Sequence, residues 1–205
     1  MSNKPARPSL EPVRDADGFS EVEPSSRNQP PPSLGGMRGI VDALLQGSLV
    51  ELFQAYGVAC APLRRDARSE AERYPDLSAV IGFTSPAASG RLILSMPPEV
   101  LDLMKGERAL QGRQADWAGE LVNQLMGRFK NRLLPYGAKL QAGLPSSIGR
   151  DALEAQVAPA AIRRVYRART LRGEVVATLD GTLKESELSY VGPTTNASEG
   201  QLILF

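Results

Sequence analysis

The sequence predicts an α+β domain, a mostly antiparallel sheet with two long helices packed on one face. Three observations lead there. Residues 37–56 and 114–134 repeat their apolar side chains at steps of three and four, the period of a half-buried helix. Between and after them lie short stretches of strand character, several joined by turns too short for a crossover. These strands come in groups and do not alternate one by one with helices, which argues against a doubly wound parallel sheet.

Taken in order, residues 1–35 stand apart. Seven of the 16 prolines fall there, mixed with Ser, Asn, Gln and charges of both signs, and after Met1 the only large apolar residues are Leu10, Val13, Phe19, Val22 and Leu34. Such a segment buries too little surface to offset its ordering entropy, so a disordered Pro-rich tail is expected over 1–35 and one domain over 36–205. From Met37, Ile40, Leu44, Leu45, Leu49, Leu52 and Phe53 line one helical face, which Tyr56-Gly57 should close with a glycine cap. A charged loop from Arg64 to Tyr74 follows. Leu77 to Phe83 and Gly90 to Ser95 read as a hairpin turning at Ser85 to Gly90. Pro97-Pro98 opens a short helix over Glu99 to Lys105, and the long helix runs from Gln114 to Leu134, closed by Pro135-Tyr136-Gly137. Strand character returns at Ala138 to Leu144, Ala161 to Leu171, Glu174 to Leu179 and Gln201 to Phe205, with Asp180-Gly181 as a turn signal.

Composition removes whole classes of chemistry. The 205 residues include one cysteine and no histidine. A Ser-His-Asp triad, a Cys-His pair, a His-ligated zinc and a multi-cysteine metal site are therefore excluded, and no metal-binding residues are expected. The single Cys60 between two alanines reads as a small buried apolar residue. A net charge of +1 exerts no global pull on nucleic acid. No run approaches the roughly 18 apolar residues of a spanning helix, so a cytoplasmic protein without a membrane partner is expected. No phosphate-cradling glycine loop is present.

The long helix holds the distinctive pattern. Its core arc is Ala115, Ala118, Val122, Leu125, Met126, Phe129 and Leu133, while Asp116, Glu120, Asn123 and Gly127 form a narrow stripe on the far side. Asn and Gly are costly in a helix interior, by a few tenths to about 1 kcal/mol each relative to Ala. Glu120 and Asn123, one turn apart, present an anionic acceptor beside an amide that both donates and accepts, able to grip a cation and orient water. Gly127 would let a second surface approach. By spacing alone the stripe reads more readily as a solvated helix face than as a site.

Asp116-Trp117-Ala118-Gly119-Glu120-Leu121-Val122-Asn123, then Gly127 and Pro145, resembles the signature of the CheC/CheX family of chemotaxis phosphatases: Asp or Ser, three residues, Glu, two residues, Asn, then a distant Pro. Twenty-one residues separate Asn123 from Pro145, one fewer than usual in the family, and a one-residue deletion near Pro135 to Ala138 accounts for it. The first helix carries no second Glu-x-x-Asn, which is the single-motif, CheX-like form. The resemblance implies a CheX-like fold and a phosphatase acting on the aspartyl phosphate of a CheY-like response regulator. Asn123 would orient the attacking water and Glu120 would engage the regulator's active-site lysine. Asp116, near the helix start, suits the helix dipole and joins Gly127 in the partner-binding surface. No cofactor of its own is implied; Mg²⁺ would sit on the partner.

Two other readings remain open. The same ridge could serve a non-catalytic module that docks a receiver domain or a motility or signalling partner. Arg163, Arg164, Arg167, Arg169 and Arg172 form a basic cluster, but strand alternation splits them, so a solvated strand face is expected and no nucleic acid partner. The apolar Gln201 to Phe205 would need a strand partner, in the sheet or across a homodimer of the kind the resemblance implies.

Overall fold

The computed structural model describes residues 37–63, 75–104, 114–149, 152–153 and 163–192. The chain divides into two units, Met1–Pro30 and Pro31–Phe205, and every described residue lies in the second. The tail expected over 1–35, the Arg64 to Tyr74 loop and the Gln201 to Phe205 strand lie outside the described residues.

Helix α1 spans Met37–Ala55. It ends as its glycine dictates: Gly57 adopts φ 75°, Gly57 N–H donates to Gln54 O (2.9 Å) and Val58 N–H to Phe53 O (3.0 Å). These two bonds satisfy carbonyls the helix leaves open and form a Schellman cap. The long helix α2, Gln114–Leu133, runs into a 3₁₀ turn at Leu134–Tyr136. It is closed the same way by Gly137 at φ 77°, with Gly137 N–H to Leu134 O (3.0 Å) and Ala138 N–H to Leu133 O (3.3 Å).

The strands are β1 (Ala61–Pro62), β2 (Leu77–Thr84), β3 (Ala88–Met96), β4 (Gln141–Ala142), β5 (Ser146–Ile148), β6 (Arg163–Thr170) and β7 (Gly173–Leu183). They form one sheet in the order β1-β6-β7-β3-β2-β4, with β5 also on β2, and every pairing is antiparallel. Alternate residues Ala79, Ile81, Phe83, Leu92, Leu94, Met96, Ala168, Val175, Ala177 and Leu179 are buried in one cluster with the apolar stripes of α1 and α2. The expected α+β arrangement, two helices on one face of an antiparallel sheet, is the fold observed.

Several elements depart from expectation. The β2–β3 turn is tighter than Ser85 to Gly90: Ser85 N–H donates to Ala88 O (2.6 Å), so Pro86 and Ala87 make the turn and β3 starts at Ala88. The segment after Pro97 is a 3₁₀ turn over Pro98–Leu103. Asp180-Gly181 is not a turn but lies within β7, where Gly181 pairs with Gly90. The reason is steric. A Cβ on Gly90 would meet Asp180 O at 2.4 Å, and one on Gly181 would meet Ser89 O at 2.3 Å, so paired glycines let the two backbones close together. The strand expected over Ala138 to Leu144 is only Gln141–Ala142, because Gly143, Leu144 and Pro145 leave the ladder before β5. Arg164 is not on a solvated face. Its side chain is 2% exposed and points toward α1, while Arg163, Arg167 and Arg169 occupy the alternate positions.

Candidate functional site

Helix α2 positions the candidate residues by periodicity. Ala118, Gly119, Leu121, Val122, Leu125, Met126, Phe129 and Leu133 are buried, so the opposite side faces outward. Asp116, Glu120 and Asn123 are exposed there and Gly127 partly so, along a line of about 16 Å at 1.5 Å per residue. A Cβ built on Gly127 would meet nothing within 4 Å, leaving open space at the C-terminal end of the line. Asp116 lies in the first turn of α2, where its charge complements the helix dipole.

The two central residues are held differently. Glu120 Oε1 accepts a hydrogen bond from Gln124 Nε2 at 2.8 Å. Asn123 has no hydrogen-bond partner among the described residues, so both ends of its amide are available. Gln124 is itself tied to α1, with Nε2 at 2.8 Å from the Tyr56 hydroxyl and that hydroxyl 3.0 Å from Gln124 Oε1. The Tyr56 ring meets Trp117 edge to face, centroids 6.1 Å apart at 85°, an arrangement worth about 0.5–1.5 kcal/mol beyond buried area. Tyr56 directly precedes the glycine that caps α1, which is why it sits at the helix end beside Gln124.

Tyr56 and Gln124 were not among the sequence candidates. The one available signal was the four-residue step from Glu120 to Gln124, which puts the two side chains on adjacent turns. Tyr56 lies 68 positions away and carries no local signal. Pro145 stands between β4 and β5, and Ser147 just beyond it donates to Ala115 O at 2.5 Å, fixing this edge against the first turn of α2. Among the described residues no group of three or more His, Cys, Asp or Glu could hold a metal ion. No helix among them is long and apolar enough to cross a membrane.

Residues 77–163 match the family model of the chemotaxis phosphatase CheX, a segment that contains Asp116 to Pro145. The fold is similar to that of a CheC-like superfamily protein from Shewanella sp. PV-4 (TM-score 0.54, 16% identity, covering 69% of this chain and 96% of that one). It is similar also to a putative chemotaxis protein from Desulfovibrio vulgaris Hildenborough (0.54, 19%, 69% and 96%) and to the chemotaxis protein CheX from Desulfovibrio desulfuricans (0.52, 16%, 71% and 98%). No curated protein matches the chain at a significant level. The resemblance to the CheC/CheX family is borne out.

Proposed function

We propose, for a chain whose residues 77–163 match the chemotaxis phosphatase CheX and whose fold is that of CheC-like and CheX proteins, that it hydrolyses the aspartyl phosphate of a CheY-like receiver domain. The carrying observation is that Glu120 and Asn123 stand one turn apart on an exposed helix face inside the matched segment, with the Asn123 amide uncommitted among the described residues.

In this reading α2 lies across the receiver's phosphorylation site. Asn123 Oδ1 accepts a hydrogen bond from a water and aligns its oxygen with the phosphorus. The P–O bond to the receiver's aspartate breaks, the aspartate carboxylate leaves, and the water supplies the oxygen and protons of inorganic phosphate. An acyl phosphate is already reactive and its transition state is loose, so positioning provides most of the acceleration and no histidine base is needed. Glu120 pairs with the receiver's active-site lysine through the carboxylate oxygen that Gln124 leaves free. Asp116 and Glu120 are one turn apart with no third anionic side chain beside them among the described residues. In this reading they hold no ion, and the Mg²⁺ belongs to the receiver. Asp116 and Gly127 complete the contact, one as a charged rim and the other as the gap that admits the receiver's backbone.

Phosphate release from CheY-like receivers of the same genome, charged with acetyl phosphate, tests the reading. The native chain shortens the phosphoryl lifetime of its cognate receiver, and Asn123→Ala abolishes the effect while still binding. Phosphorylation-dependent binding with an unaltered lifetime would instead make the ridge a docking surface.

A further inference from the structure

Resting on the reading above, we propose that Gln124, itself fixed by Tyr56, is the positioning residue that holds the Glu120 carboxylate ready for the receiver's lysine. A glutamate on an exposed helix face samples many rotamers, and bringing it into one geometry on binding costs side-chain entropy. Gln124 Nε2 removes much of that freedom by holding Oε1 at 2.8 Å, leaving Oε2 free. A glutamine side chain is no less mobile than a glutamate, so the bond would position little if Gln124 were free. It is not: its amide meets the Tyr56 hydroxyl through both nitrogen and oxygen. Tyr56 in turn is fixed at its backbone by the α1 cap and at its ring by Trp117. The path therefore runs from a rigid helix end through one amide to the functional carboxylate. A hydrogen bond serving only to join the helices would not need to continue to Glu120.

The test uses the full chain and a cognate CheY-like receiver carrying beryllofluoride, a stand-in for the phosphoryl group. Gln124→Met keeps length and helix propensity but removes the donor, and should raise Kd roughly fivefold, the worth of ordering one long side chain on binding. Single-turnover phosphate loss at saturating chain should stay within about twofold of native, because Asn123 is untouched. Tyr56→Phe keeps the ring on Trp117 and should raise Kd by about two- to threefold. In a Glu120→Ala background Gln124→Met should change Kd no further, since Gln124 acts through Glu120. An unchanged Kd in both single variants, or the same rise persisting without Glu120, overturns the inference. Its failure is separable from that of the phosphatase reading: retained acceleration by Asn123→Ala removes the latter, whereas an inactive Asn123→Ala beside native-like Gln124→Met and Tyr56→Phe removes only the former.

Discussion

Two hydrogen-bonded assemblies of similar ingredients, a tyrosine, a carboxylate and a nitrogen donor, lie along helix α1 and at its C-terminal end, with opposite outcomes. In its first half Asp42 Oδ1 accepts from the Tyr166 hydroxyl at 2.6 Å and lies 3.4 Å from Arg164 Nη1. Arg164 is almost wholly buried and Asp42 is 34% exposed. Burial, reinforced by the Asp42 carboxylate, pushes the Tyr166 phenol well above its usual range. At the C-terminal end, Tyr56 and Gln124 hold Glu120 on the surface, with one carboxylate oxygen unused. The first assembly engages its carboxylate between α1 and β6; the second presents one outward. The difference is burial, and it separates a group that stabilises the fold from one that can meet a partner.

The largest expected effect lies on the ridge beside the exposed assembly. Asn123→Ala should lower the accelerated rate of receiver dephosphorylation by about two to three orders of magnitude, the range for losing one preorganised group at a reacting centre, with the melting temperature unchanged. The buried assembly should respond inversely. Arg164→Met should cost about 1 kcal/mol in urea unfolding, because the Asp42 carboxylate it leaves behind is 34% exposed and keeps the Tyr166 hydrogen bond, and Tyr166→Phe about 1 kcal/mol. Both should leave the rate per folded molecule at the native value. Loss of activity in correctly folded Tyr166→Phe would break the division between the two regions.

A similar effect should come from the cap that places Tyr56. Gly57→Ala forces a Cβ into φ 75° and should cost about 1 kcal/mol, read as a lowered urea midpoint. Absent at neutral pH, and seen only in alkali, is the ionisation effect of Cys60, whose thiol burial pushes up to about 11 from 9.0. The unfolded thiol ionises first, so its contribution is complete below pH 9 and is lost as pH rises to about 11. The stability advantage of the native chain over Cys60→Ala should narrow across that window.

The sequence made some of these features legible and hid others for identifiable reasons. Both long helices could be read because one apolar face recurs every three or four residues and a glycine needing positive φ closes each. Glu120 and Asn123 could be singled out because a short spacing on one helix sets their relation. Asp180-Gly181 was misread because the same dipeptide serves a hairpin turn or a close strand crossing, and Gly90, which decides between them, is 91 positions away in the chain. Alternation told Arg163 from Arg164 but not which side would face α1. Gln124 gains its meaning only when α1 brings Tyr56 beside it, which is a tertiary event.

The phosphoryl lifetime of a cognate receiver, measured with substoichiometric native chain, Tyr166→Phe and Asn123→Ala, tests the central claim most directly. The account predicts many receivers turned over by each folded molecule of the native chain and of Tyr166→Phe, and decay at the receiver's own rate with Asn123→Ala. Equal acceleration by native chain and Asn123→Ala would contradict it.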